Sequence, residues 1–169
     1  DSVTKIGEYA FDRCTSLTSI TIPDGVTQIS GWGFSRCSSL TSITIPDSVR
    51  VIGPCAFKRC TALTSITIPD SVTGISSEAF EGCTSLTQVI CNNPDLFTVE
   101  NINNRGQIQF ISTTDFKKYQ ELLKAIEDSE FKSIHVTSKE LNLIMKLHQE
   151  DYLPNWNTIA TTFNERSMD

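Results

Sequence analysis

A 23-residue period runs through the first half of this chain, and a period of that length leaves few folds open. Asp1-Ser2-Val3 returns as Asp24-Gly25-Val26, Asp47-Ser48-Val49 and Asp70-Ser71-Val72. In step with it come Ile6, Ile29, Ile52 and Ile75, then Phe11, Phe34, Phe57 and Phe80. Two further lanes follow at the same spacing: Cys14, Cys37, Cys60 and Cys83, and Leu17, Leu40, Leu63 and Leu86. Within one unit, Leu17, Ile20 and Ile22 turn apolar side chains to one face of a strand, and Pro23 ends its hydrogen bonding before an Asp turn. A short extended piece over residues 3–6 and one helical turn around Ala10 and Phe11 complete the unit. So small a unit cannot bury its own apolar side. Consecutive units must therefore stack into an α/β solenoid, with a parallel β-sheet on the concave face and short helical turns on the convex face.

Three stretches carry a family resemblance: Leu17-Thr18-Ser19-Ile20-Thr21-Ile22-Pro23, Val49-Arg50-Val51-Ile52-Gly53 and Ala56-Phe57-Lys58-Arg59-Cys60. They resemble leucine-rich repeats of the BspA type, and the resemblance covers residues 1–91 as four 23-residue repeats. It implies a binding scaffold of the kind used by bacterial surface antigens, adhesins and effectors, and it implies no chemistry. Gly33 in place of Ala, Ser30 and Ser76 in place of Gly, and Pro54 depart from the pattern without breaking the period.

With 169 residues, 38% of them hydrophobic, the chain can bury a continuous core. Fourteen Lys and Arg against 20 Asp and Glu give a net charge of -6, so no global positive field draws in nucleic acid. No apolar run approaches the roughly 18 residues of a membrane span. The chain opens on Asp1 at a repeat boundary and is expected to be a piece of a longer protein.

After Asn92-Asn93-Pro94 the period is lost. A strand is expected over residues 107–111. Phe116, Tyr119, Leu122, Leu123 and Ile126 predict a helix over 115–128. Phe131, Ile134 and Val136 repeat the strand spacing, and Thr137 with Glu140 forms a capping box before Leu141, Ile144, Met145 and Leu147. Residues 92–169 thus read as divergent repeats with longer helices and a helical C-terminal cap closed by residues 156–163. An independently folded C-terminal module is the alternative.

The six cysteines lack the paired short spacings of a zinc site, and four of them read as a buried file of free thiols. Free thiols in that number point to a reducing compartment or an anaerobic surface. Cys55 and Cys91 fall outside the file and are the candidates for modification. His135 and His148 have no Ser, Cys or Asp motif of catalytic geometry beside them, and Asp24, Asp47 and Asp70 cap their own turns after Pro. The expectation is a chain with no cofactor, no metal and no enzymatic activity.

Three surface lanes remain. Ser19, Thr21, Ser42, Thr44, Ser65, Thr67 and Gln88 project from the strand face away from the core, where hydroxyl groups both donate and accept hydrogen bonds. Arg13, Arg36 and Arg59 form a second lane, broken by Gly82, and Tyr9 and Trp32 begin a third that ends in Cys55 and Glu78. Trp, Tyr and Arg are the types enriched at interface hot spots. Together with His135, these residues form the candidate partner-binding set. The sequence reads as a monomeric, non-catalytic scaffold for another protein, part of a bacterial effector or regulator that is secreted or delivered into a host cell and blocks its target. A secreted adhesin at the cell surface is the alternative.

Overall fold

A computed structural model describes residues 2–98, 100–102 and 107–128. The chain divides into two compact units, Asp1–Thr113 and Thr114–Asp169. Each 23-residue repeat of the first unit contributes one three-residue strand and one two-residue strand. The longer strands are β2 (Ser19–Thr21), β4 (Ser42–Thr44), β6 (Ser65–Thr67) and β8 (Gln88–Ile90), and β9 (Gln109–Ile111) joins them in a five-stranded sheet ordered β2-β4-β6-β8-β9. The shorter ones, β1 (Lys5–Ile6), β3 (Gln28–Ile29), β5 (Val51–Ile52) and β7 (Gly74–Ile75), form a four-stranded sheet ordered β1-β3-β5-β7. All pairings are parallel, so the stacked solenoid read from the period is the fold. The short extended piece of each repeat builds the second sheet.

The core is a set of files, one side chain per repeat. Ile29 and Ile52, Phe34, Phe57 and Phe80, Cys37, Cys60 and Cys83, and Leu40, Leu63 and Leu86 are all buried. The phenylalanines stack face to face: Phe11–Phe34, Phe34–Phe57 and Phe57–Phe80 have ring centroids 5.0, 5.4 and 5.3 Å apart and interplanar angles of 1°, 7° and 7°. Gly53 sits where a Cβ would lie 2.7 Å from the backbone nitrogen of Gly31, so the two repeats approach closely enough there to exclude any side chain.

Where the sequence suggests a helical turn, the chain makes consecutive tight turns. Ala10 N–H donates to the Gly7 carbonyl at 3.3 Å, Asp12 N–H to Tyr9 at 3.1 Å and Cys14 N–H to Phe11 at 3.1 Å. The alternate amides reach forward to the next repeat: Tyr9, Phe11 and Arg13 donate to the carbonyls of Gly31, Gly33 and Ser35 at 3.3, 2.8 and 2.8 Å. A helix would spend those amides on its own carbonyls. The turn arrangement satisfies each repeat and ties it to its neighbour at once.

Beyond β8 the register changes. Ser65 pairs with Gln88 at the 23-residue offset, whereas Gln88 pairs with Gln109, 21 residues on. The strand and helix expected at 107–111 and 115–128 are present as β9 and α1 (Thr113–Asp128), with a short 3₁₀ turn at Pro94–Leu96 before them. Phe97 and Phe110 extend the ring stack from positions outside the Phe lane, tilted 34° and then 60° to the preceding ring. Buried Asn101 pins this segment, donating to the carbonyls of Leu96 at 2.7 Å and Ile75 at 3.4 Å and accepting from Thr98 N–H at 2.9 Å. The strand expected around Phe131, Ile134 and Val136, the helix after Thr137 and the cap at 156–163 lie outside the described residues.

Candidate functional site

The five-stranded sheet presents its polar lane in register. Ser19 pairs with Ser42, and Thr21, Thr44, Thr67 and Ile90 occupy equivalent places on successive strands. Alternation along each strand sends Ile43 and Ile66 inward and the flanking Ser and Thr outward. Ser19, Thr21, Ser42, Thr44 and Thr67 are exposed and Ser65 is half-buried. None of these six hydroxyls has a hydrogen-bond partner among the described residues. Other hydroxyls of the same repeats are used internally: Thr27, Thr41 and Thr73 donate to the carbonyls of Thr4, Thr18 and Arg50 at 3.2, 3.2 and 3.3 Å, and Ser48 and Ser71 donate to Val26 and Val49 at 2.6 and 2.7 Å. These hydroxyls stitch one repeat to the next, which the six on the strand face do not.

Gln88 does not belong to the open lane. It is buried, 2% exposed, with its Nε2 3.5 Å from Gln109 Oε1, and Ile90 beside it is buried as well. The polar face open along β2, β4 and β6 closes at β8, because β8 is buried on both sides. Its sequence, with apolar Val89 and Ile90 adjacent, carries that signal.

On the turn side, every non-glycine residue with positive φ among the described residues falls into two lanes. Tyr9, Trp32, Cys55 and Glu78 form one, with φ of 56–60°, and Arg13, Arg36 and Arg59 form the other, with φ of 57–60°, followed by Gly82 at 72°. Each occupies the third position of a tight turn, where the left-handed conformation favours glycine and costs another residue roughly 1–2 kcal/mol. Gly82, which interrupts the arginine lane in sequence, meets that requirement without cost.

The side chains of these lanes sort into two groups. Tyr9, 57% exposed, stacks on half-buried Trp32 with centroids 6.0 Å apart and planes 13° from parallel, and Lys58 Nζ lies 5.7 Å from the Trp32 ring centre. Lys58 also bridges Glu78 and Glu81, each at 2.6 Å. Its hydrogen bonds to Glu78 and then to Glu81 hold the Lys58 ammonium above its ordinary range, and the bond from Lys58 holds the Glu78 carboxyl below its own. The arginines behave differently. Arg13, with a 70% exposed side chain, meets Asp12 Oδ2 only through Nε at 3.6 Å, and Arg36 and Arg59 form no ion pair among the described residues. Lys58 and Glu81 are not marked by the sequence, since their position carries Asp12, Ser35, Lys58 and Glu81 in successive repeats.

The cysteine file is buried from Cys37 onward. The thiols of Cys37, Cys60 and Cys83 each donate to a phenylalanine carbonyl of the preceding repeat at 3.1 Å. Burial pushes Cys37 up to about 11 and Cys83 to about 12, and drives Cys60 higher still. Cys55 and Cys91, expected to be the modifiable thiols, are only 6% and 4% exposed, and burial raises both. A low, accessible thiolate is what modification needs, so neither fits that role. Among the described residues no three His, Cys, Asp or Glu side chains are grouped to hold a metal, and no helix is long and apolar enough to cross a membrane. A groove of about 390 Å³ lies at the end of the repeats, lined by Ile68, Asp70, Val72, Asn92 and Leu96, with Asn92 Nδ2 donating to both Asp70 oxygens at 3.0 Å. His135 and His148 lie outside the described residues.

Two parallel sheets, inward apolar files and a repeat of 23 residues define a leucine-rich repeat solenoid. The chain belongs to the family described as the BspA type leucine rich repeat region, which matches residues 1–106 in six copies. Among solved structures it is similar to a leucine-rich repeat protein from Bacteroides ovatus, at 34% identity over 65% of this chain and 25% of that one, with a TM-score of 0.51. It is also similar to a leucine-rich repeat protein of T. pallidum, at 29% identity over 53% of this chain and 52% of that one (TM-score 0.47). A leucine-rich cell surface protein from Faecalibacterium prausnitzii is 21% identical over 57% of this chain and 32% of its own length, with a TM-score of 0.43. The chain thus spans about a quarter of the Bacteroides ovatus protein and about half of the T. pallidum one. No curated protein matches it. The repeat fold suits protein–protein interaction or adhesion.

Proposed function

We propose that this chain is a non-catalytic scaffold that binds another protein through the hydroxyl face of β2, β4 and β6. The observation that carries the reading is the set of six outward, in-register hydroxyls on β2, β4 and β6, none with a partner among the described residues. A surface of aligned donors and acceptors on a stiff sheet loses little entropy on binding, and a solenoid can cover a standard interface of about 800 Å² per partner. Within a longer bacterial effector or regulator, secreted or delivered into a host cell, such a face would hold a target protein and block its other contacts.

The test compares the chain with its Ser42→Glu, Ser65→Glu variant in affinity capture, once from cell lysate and once on intact cells. A protein retained by the parent and lost by the variant from lysate supports the blocking scaffold. Retention on intact cells that the variant abolishes favours adhesion through the same face. Equal retention by both would overturn the hydroxyl face as the binding surface.

A further inference from the structure

We propose that the turn side carries an anion-binding lane, Arg13, Arg36 and Arg59, which takes the carboxylates of an acidic segment of a protein partner. The proposal rests on the protein-binding reading but uses a different surface. The geometry is repetitive. The backbone amides of the three arginines donate to Ser35, Lys58 and Glu81 carbonyls at 2.8, 2.7 and 2.7 Å, which places them on successive rungs of one ladder, roughly 4.8 Å apart. Their φ angles lie between 57° and 60°, so the side chains leave the backbone in one orientation.

The residue choice runs against the backbone. Gly82 shows that glycine is accepted at this turn position, yet three repeats keep arginine there. Simple copying of the repeat does not account for it. The adjacent position has diverged through Asp12, Ser35, Lys58 and Glu81, and the other left-handed position through Tyr9, Trp32, Cys55 and Glu78. The other lane bears the same left-handed backbone and has drifted, so it is arginine kept on three rungs that points to use of the side chain.

The charge is also unspent. The chain carries six more acidic than basic groups, and Lys58 is closed by two of them, but among the described residues Arg36 and Arg59 form no ion pair and Arg13 meets Asp12 only through Nε at 3.6 Å. A guanidinium fork fits a carboxylate by two parallel hydrogen bonds. Exposed Tyr9, stacked on Trp32, belongs to the other left-handed lane of the same consecutive turns, and arginine together with aromatic residues is the composition of protein interface hot spots, which favours an acidic polypeptide over a sulfated glycan.

The test uses the whole chain and a fluorescent polyglutamate peptide, read by anisotropy at low and moderate salt, with a sulfated oligosaccharide as the second arm. Arg36→Gly, Arg59→Gly suits the local φ, so the variant folds, and a thermal melt confirms it. Polyglutamate affinity is expected to fall roughly ten-fold or more in that variant, to weaken with salt, and to stay unchanged in Arg50→Gln, which lies outside the lane. Equal binding by parent and variant overturns the proposal, as does absence of polyglutamate binding to the parent. Arginine-dependent binding of the sulfated oligosaccharide alone overturns the polypeptide assignment. The hydroxyl-face variant leaves these arginines untouched, so failure here and failure of the scaffold reading are distinguishable.

Discussion

Two stretches of the first unit solve the same packing problem by different means. From β1 to β8 each strand meets its partner 23 residues away, and the Phe, Cys and Leu files are each filled by one residue type. From β8 to β9 the offset is 21, and the ring stack is continued by Phe97 and Phe110, which belong to no lane. Centroid spacing barely changes across the junction, from 5.3 Å to 5.6 and 5.4 Å, while the interplanar angle opens from 7° to 34° and 60°. Space filling survives a change of register and ring orientation does not. What the divergent stretch lacks in repetition it replaces with a specific polar peg, Asn101, whose three hydrogen bonds have no equivalent in the regular repeats.

The widest separation between the two stretches is expected in their rings. Phe57→Ala, in a fully buried site between two parallel rings, should cost about 3–5 kcal/mol in urea unfolding, whereas Phe110→Ala, half-buried and edge-on, should cost about 2 kcal/mol. Equal losses would erase the distinction between file and patch.

A comparable effect is expected in alkali. The Cys37 and Cys83 thiols are raised from 9.0 to about 11 and about 12, so folding prefers their protonated forms. Their contribution is fully present below pH 9 and is lost as pH rises through 11 and 12, each thiol giving up at most about 1.4 kcal/mol per pH step of one within that window. The unfolding midpoint should therefore fall between pH 8 and pH 10.5, and Cys37→Ala, Cys83→Ala should flatten that fall. An unchanged slope in the variant would assign the alkaline loss to other groups, such as the Lys58 bridge.

The smallest expected effect lies within the turns. Arg59→Gly should raise stability by about 1 kcal/mol and Gly82→Arg should lower it by a similar amount, since the same left-handed turn is relieved in one and burdened in the other. Thermal melts of the pair that move in the same direction would show that contacts of the arginine stem outweigh the backbone term.

Much of the fold is legible in the sequence, for one physical reason: parallel stacking at a fixed offset makes every lane a contact. Ile29 above Ile6, Phe34 above Phe11 and Ser42 above Ser19 follow from counting. The turns are not legible. Ala-Phe-x-x-Cys has helical apolar spacing, and Tyr, Trp, Cys, Glu and Arg are not residues that announce a left-handed backbone. Gly82 is the visible clue, and in the sequence it reads as a missing charge when it marks a conformation. Burial of Gln88 is marked only by Ile90, which stands in the lane of Thr21, Thr44 and Thr67, while its own lane is polar through β6. The outward hydroxyls of Ser42 and Thr44 are legible, because strand alternation decides their direction locally.

The constant offset has a consequence for how such a chain can change length. Pro46 is followed by Asp47-Ser48-Val49 and Pro69 by Asp70-Ser71-Val72, so removal of residues 47–69 joins Pro46 to Asp70 and rebuilds the same junction. The rung above then meets the rung below with its files still aligned, and the irregular 21-residue step stays at its own end. Gene slippage in whole units would thus lengthen or shorten the molecule like a ruler, in increments of roughly 4.8 Å, adding or deleting one row of hydroxyls at a time without redesigning either terminus.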